Sequence, residues 1–350
     1  MTISFARRLA LPLIVAGLTF TVLAEACQRS APNKSKVGEK GAAAYRFSGP
    51  YTHDNLTIFL IHGDDQIKDK DILTLDEAIK EKKVIVHETQ NVNQLAIENV
   101  SACQVFVQAG DIVRGGQQDR IIAFDMLVPA KSGKMPLNSF CVEAGRWTQR
   151  GKEAKGHFNG SYNCVGDNAI NIAVRKDASQ RAVWNNVAKK QMDLKSKVKE
   201  DVQAKESKSS LELTLEHKKV VEAVDTYIKK LQDTLKDKKD VIGYAVVING
   251  KVNNAEVYAS HVLFEKMWPK LLKASAVEAV SALETDKKFE PAKVETVKAF
   301  LADAEKGKKT EKKVGERFRQ IEQESDKSIL FETKDGAKRD VTLRRSQLAK

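Results

Sequence analysis

The sequence predicts an α+β fold, a mixed or antiparallel sheet with packed helices. Two observations carry that reading. Apolar runs of strand and helix period follow one another irregularly, without the steady alternation of a doubly wound sheet. Two turn signals, Asn249-Gly250 and Asp335-Gly336, each lie between apolar runs, the pattern of an antiparallel hairpin. Hydrophobic residues at 42% of 350 supply enough apolar surface for a sizeable core.

The chain opens with Arg7 and Arg8, then an apolar run from Leu9 to Ala24 and the small-x-small site Ala24-Glu25-Ala26. These are the three parts of an export signal. The run is short for a helix that must cross the bilayer, which takes about 20 residues. Residues 1–26 therefore read as a cleaved signal peptide, with an uncleaved anchor as the alternative. The mature chain is expected to be periplasmic or extracellular, with no stable membrane span. Cys27 follows the cut and raises lipoprotein processing, but Ala24 and Glu25 fit a lipidation motif poorly, so soluble export is preferred. Residues 27–50 are polar and aperiodic and read as a flexible linker. The fold is expected over residues 51–345, as one domain or as two lobes meeting near residue 190.

Within it, Leu56–Ile61 reads as a strand, and Thr74 with Glu77 as the capping box of a short helix. Strands are expected at Val84–Val86, within Val92–Val100, at Val105–Val107, and from Ile121 to Val128. Pro129–Pro136 reads as a loop, and Phe140–Val142 as a return to the sheet. A helix begins near Trp184, and residues 189–210 read as its charged end and a connector. Ser209 and Glu212 form a capping box ahead of a helical stripe from Leu211 to Leu235. The first hairpin pairs Val241–Ile248 with Lys251–Ala259. Pro269 is expected to break or kink the helix that follows, with Ala274–Leu283 as another helix and Ala292–Ala304 a further one. After the Lys-rich Lys306–Lys313, the second hairpin pairs Ile329–Phe331 with Val341–Leu343.

The chemistry-bearing residues crowd between Cys103 and Trp147. Ala109-Gly110-Asp111 and Arg114-Gly115-Gly116 turn out of a strand, Gln117 to Arg120 lead into the next, and Glu143 to Trp147 leave the sheet. Glycine allows close backbone approach, and arginine offers a planar fork to phosphate or carboxylate. Arg114, Gly115, Gly116, Gln117, Arg120, Cys141, Arg146 and Trp147 are the candidate ligand-binding residues. Arg120 and Arg146 would hold a small polar or anionic group, with Trp147 as a stacking wall. Glu143 or Asp111 is the candidate general base of a hydrolase, provided burial raises its pKa. Cys141 as a nucleophile lacks an evident histidine partner. The bland alternative is a buried ion-pair network, Glu143 with Arg146 or Arg120, that only fixes loops.

The net charge of +12, less +1 for Arg7, Arg8 and Glu25 of the leader, leaves +11 on the mature chain. Its lysines alternate with acids, as in Lys197–Asp201, and lack aromatic partners, so no nucleic-acid binding is expected. There is no P-loop, H-E-x-x-H, G-x-S-x-G or dinucleotide fingerprint, and no cofactor is expected. His157 between Cys141 and Cys164 matches no zinc spacing, and no metal is expected. With four cysteines the chain is not a disulfide scaffold. Either Cys103, Cys141 and Cys164 hold one bridge, with Cys141–Cys164 the first to test, or they are buried free thiols.

Gly110-Asp111, Gly115-Gly116-Gln117-Gln118-Asp119-Arg120 and Cys141-Val142-Glu143-Ala144-Gly145-Arg146-Trp147 together resemble the ARPP-1 domain, a family formerly described as of unknown function. Supporting pieces match in order: Leu75–Ile79, Trp184, Gly243–Lys251 and Met267–Leu272. The family more often has Gly-Glu at Gly110-Asp111 and Gln-Asn-Arg at Gln118-Asp119-Arg120. The resemblance covers most of residues 51–345. The family's name records association with ADP-ribosylglycohydrolases, which implies a nucleotide- or ADP-ribose-like ligand.

Overall fold

A computed structural model describes residues 45–146, 150, 156–290, 292–338 and 340–350. The expected signal peptide, most of the expected linker and Trp147 lie outside these described residues. Strands β1 (Arg46–His53) and β2 (Leu56–His62) form the first hairpin, and β3 (Leu73–Thr74) leads into helix α1 (Leu75–Lys80). The capping box of Thr74 and Glu77 is present in full. Strands β4 (Val84–Asn91), β5 (Gln94–Asn99), β6 (Val105–Val107), β7 (Asp111–Gly115), β8 (Arg120–Ile122), β9 (Met126–Val128), β10 (Gly133–Cys141) and β11 (Phe158–Cys164) follow. Four helices come next: α2 (Asn168–Arg175), α3 (Gln180–Val198), α4 (Leu211–Leu215) and α5 (Lys218–Leu231). The hairpin of β12 (Val241–Ile248) and β13 (Lys251–Tyr258) precedes α6 (His261–Ala282) and α7 (Val294–Ala304). A meander of β14 (Lys308–Val314), β15 (Phe318–Glu324), β16 (Ser328–Asp335) and β17 (Val341–Ala349) closes the chain.

These strands make three sheets, an α+β arrangement with one parallel pair, β3 with β6. The largest is antiparallel throughout, in the order β1-β2-β12-β13-β17-β16-β15-β14. At β2 and β12 it is covered on both faces. Leu56, Ile58 and Leu60 of β2 join the main core, which includes α6, while Phe59 and Ile61 join a second cluster with Val297 and Leu301 of α7. A strand buried on both sides is apolar without interruption, which is why β2 was plain in sequence. The main core draws residues from both sides of position 190.

Several expectations need correction. Residues 46–50 belong to β1, not to a linker. The run Ile121–Val128 splits into β8 and β9, because the buried Asp125 between them bonds elsewhere: Thr333 donates to it at 2.9 Å and Arg344 at 2.9 Å. Pro136 lies within β10, not in a loop. Along Gly133–Asn138 that strand pairs only with β5, and β8 joins at Ser139, so one flank asks no N–H of the proline. Helix α3 runs on to Val198 and ends on a left-handed Lys199, since Val187 and Leu194 keep a buried stripe through the charged segment. Ser210, not Ser209, caps α4, and the stripe beyond it breaks at Glu216-His217 before α5. Helix α6 is continuous through Pro269, held by burial of Met267, Trp268, Leu271 and Leu272 around the proline. The Lys-rich segment is β14, an exposed edge strand whose charges guard it against pairing with another chain. Asp111–Gly115, which reads as a pair of turns, is strand β7, and strands β11 and β15 and helix α2 carry no signal read in the sequence.

Cys141 and Cys164 are both free and buried, and Cys103 is disulfide-bonded, so no bridge forms among the three. In sheet order β10 and β11 are separated by β8 and β7. That is roughly 14 Å along the sheet, beyond disulfide reach. Among the described residues no helix is long and apolar enough to cross a membrane.

Helices α3 and α6 meet through Lys190, which lies 2.9 Å from both Asp167 and Glu278. Burial pushes the Glu278 carboxyl up to about 7, with Lys190 opposing and Asp167 adding. The native state therefore holds a proton there that the unfolded chain releases near its ordinary 4.5. Stability from this group is complete below pH 4.5 and falls as pH rises toward 7, by at most about 1.4 kcal/mol per pH unit. Melting temperatures at pH 5 and 7 should show Glu278→Gln losing less stability over that interval than the parent. Equal losses would refute the assignment.

Candidate functional site

The second sheet, β11-β7-β8-β10-β5-β4, curls until its outer strands touch. His87 of β4 forms a single bridge with His157 beside β11, and the Glu88 N–H donates to Gly156 O at 3.3 Å. The result is a small six-stranded barrel. Register puts Val86 opposite Ile97, Leu95 opposite Leu137 and Ile122 opposite Ser139, so these residues share one face, and all are buried. Val113 stands opposite Arg120, and Arg120 opposite Cys141, which extends the same face to a polar end.

At that end the two strand exits singled out in the sequence converge. The Val142 N–H donates to Asp119 O at 3.1 Å, the Asp119 N–H to Glu143 Oε2 at 3.2 Å, and Gln118 Nε2 to Glu143 O at 3.0 Å. Arg146 Nε donates to Glu143 Oε1 at 2.7 Å and NH1 reaches Gly116 O at 3.5 Å. Asp119, fully buried, accepts from Arg150 NH1 at 2.9 Å and NH2 at 3.2 Å, from the Gly115 N–H at 3.1 Å and from Ser210 Oγ at 3.2 Å. The Asp119–Arg150 fork is the arrangement in which a buried charge pair repays its desolvation best.

Electrostatics divides the candidates. Burial pushes the Glu143 carboxyl up, but hydrogen bonds from Arg146 and Ser207 outweigh it and hold the group below its ordinary value. The raised pKa that a general base here requires is absent. Burial does raise Asp119, with Glu143 adding to the effect and Arg150 opposing it. Burial also raises the Cys141 thiol despite Arg120, which suits an inert thiol and not a nucleophile.

Arg120 is the least satisfied member. Its guanidinium is 1% exposed, with Cys141 Sγ at 2.9 Å, Gln118 O at 3.3 Å and Glu88 Oε2 at 3.7 Å. Its Nε has no hydrogen-bond partner among the described residues. Gly115 and Gly116 both have positive φ, and a Cβ on Gly116 would meet Phe158 Cζ at 2.6 Å and Glu88 Oε2 at 2.9 Å. That glycine is required by close packing of the barrel wall.

Two other candidates, Asp111 and Arg114, lie apart from this cluster, and Gln117 borders it through Glu88. Asp111 is buried with Lys270, whose Nζ donates to it at 3.1 Å and also pairs with Asp76. Arg114 alternates to the opposite face of β7 from Val113 and pairs with Glu216. Gln117 offers its N–H to Glu88 at 3.4 Å. Trp147 falls outside the described residues. Glu88, Arg150 and Ser210 complete the cluster and were missed: Glu88 and Ser210 are distant in sequence, and Arg150, four residues after Arg146, carries no local signature. Among the described residues no group of three His, Cys, Asp or Glu is placed to hold a metal ion. An apolar cleft of about 390 Å³, lined by Phe124, Met126, Met135, Leu137 and Phe318, opens elsewhere, between β9–β10 and the β14–β15 turn.

The profile of one family, the ARG and Rhodanese-Phosphatase-superfamily-associated Protein domain or ARPP-1, matches residues 44–342. No curated protein and no solved structure matches. The match runs from the start of the first strand into the last and takes in the whole barrel with its charged end, so the chain belongs to the ARPP-1 domain family.

Proposed function

We propose that this is an exported protein whose ARPP-1 domain binds a small polar or anionic ligand, of nucleotide or ADP-ribose kind, at the charged end of the barrel. Export is supported by Arg7, Arg8 and the apolar run that follows them. Binding is supported above all by Arg120. A buried guanidinium with an unmet Nε–H and its nearest carboxylate 3.7 Å away carries a cost that an anionic oxygen would offset. An unmet buried donor costs about 1–3 kcal/mol. Arg146, at the same end, supplies a second guanidinium.

Titration calorimetry with ADP-ribose, AMP and glucose 6-phosphate tests the reading. At least one should bind, and Arg120→Gln should weaken it at least tenfold, about 1.4 kcal/mol. Silence across all three sinks it. A second reading, that the cluster only locks loops, is favoured by the saturation of Asp119 and Glu143 by arginines and backbone N–H groups. Under it Arg146→Ala lowers Tm and changes no ligand response.

A further inference from the structure

His62 ends β2 between two side chains that lie far from it in sequence. Asp240 Oδ1 is 2.8 Å from His62 Nδ1, and Ser48 Oγ is 2.8 Å from His62 Nε2. A carboxylate at Nδ1 selects the tautomer with its proton there, which leaves the Nε2 lone pair facing the serine hydroxyl. We propose that Ser48, His62 and Asp240 form a catalytic triad that hydrolyses acyl esters.

The sheet assembles the three. Arg46 stands opposite His62 and Ser48 opposite Leu60, so Ser48 and His62 share a face across the β1–β2 ladder. Val241 stands opposite His62 on the other flank, which puts Asp240 at the entry to β12, and Gly63 N–H donates to Asp240 O at 2.9 Å. The second Asp240 oxygen pairs with Arg46. The hydrogen bond from His62, with help from Arg46, holds the Asp240 carboxyl below its ordinary value, so it stays ionised to orient the imidazole. His62 is buried and Ser48 is partly exposed on an edge strand, the accessibility that a nucleophile and its base require.

The backbone beside Ser48 is also unusual. Pairing passes from Ser48–Leu60 to Tyr51–Ile58, so Gly49 and Pro50 leave the register. Gly49 has φ +116°, and a Cβ there would meet Ile58 O at 2.9 Å. As the residue after the nucleophile, Gly49 carries the N–H assigned to the oxyanion. Tyr51 Oη lies 3.4 Å from Ser48 Oγ and donates to it, which helps fix the serine hydroxyl.

In the first step Ser48 Oγ bonds to the ester carbonyl carbon while its proton passes to His62 Nε2. The bond from carbonyl carbon to alcohol oxygen then breaks, and His62 returns the proton to the departing alkoxide. Water, deprotonated by His62, attacks the acyl-serine, releasing the acid and restoring the Ser48 hydroxyl. The assignment is independent of Arg120 and the barrel.

The test treats the full-length chain with a fluorophosphonate probe and maps the labelled peptide by mass spectrometry, alongside hydrolysis of p-nitrophenyl acetate. Labelling is expected at Ser48. Ser48→Ala should abolish it and cut hydrolysis at least tenfold with Tm little changed, and His62→Gln should reduce both readings at least tenfold. An unlabelled Ser48 in the parent, or hydrolysis unaltered in Ser48→Ala, would overturn the triad and leave these bonds as a fastening of β1 to β2.

Discussion

Asp125→Ala is expected to destabilise the fold by about 3–5 kcal/mol, toward the upper part of that range. Asp125 is fully buried where β8 gives way to β9. It accepts from the Ala109 N–H at 2.8 Å, Arg344 NH1 at 2.9 Å and Thr333 Oγ1 at 2.9 Å, and lies 3.5 Å from Arg175 NH2. Arg344 would keep Glu256 at 2.8 Å, but Arg175, with no exposed surface, would lose its carboxylate. Burial favours the protonated form of Asp125, yet Arg344 and Arg175 outweigh it and hold the group below its ordinary value. Removing the carboxylate leaves two charges desolvated and only one paired. Urea unfolding would report the loss as a fall in midpoint at constant slope. Asp125→Asn, which keeps an acceptor, should cost less, and a loss under about 1 kcal/mol for the alanine variant would contradict the account.

The second large effect is expected at Asp119, where alanine should cost about 3 kcal/mol or more. Asp119 holds Arg150 in a two-pronged pair, accepts from Gly115 and Ser210, and stands 3.7 Å from Arg146. Both arginines are buried enough that water would not fully replace the lost partner. The same substitution frees the Gly115 N–H, so the turn before β8 should loosen. Amide exchange at Gly115 should quicken more than at Ile97 of β5, across the barrel. Uniform acceleration would instead mean that the cluster is no local fastening.

The legible parts of the fold were those in which local chemistry and tertiary context agree. The Asn249-Gly250 turn has positive φ at both residues, 51° and 74°, as its composition demands. The illegible parts were decided at a distance. Nothing within β14 marks it as a strand, because an edge strand of lysines obeys the need to stay unpaired and not a burial pattern. Pro269 signals a break that burial around α6 overrides. The convergence of the two strand exits follows the same rule: Gln118, Asp119 and Glu143 meet because β8 and β10 are neighbours in the barrel. Asp111 is close to Arg120 in sequence, but its partner Lys270 is 159 positions away. Arg114 is close as well, yet strand alternation puts it on the other face of β7 from Val113, which pairs with Arg120.

The barrel's closure has a mechanical consequence. Five of its joins are ladders and, among the described residues, the sixth is the bridge of His87 and His157 with the Glu88–Gly156 hydrogen bond beside it, so this is the least bonded line in the wall. Glu88, the carboxylate nearest Arg120, is the next residue along that line. A breathing motion that separates β4 from β11 at this seam would uncover the guanidinium while the core between the sheets stayed shut.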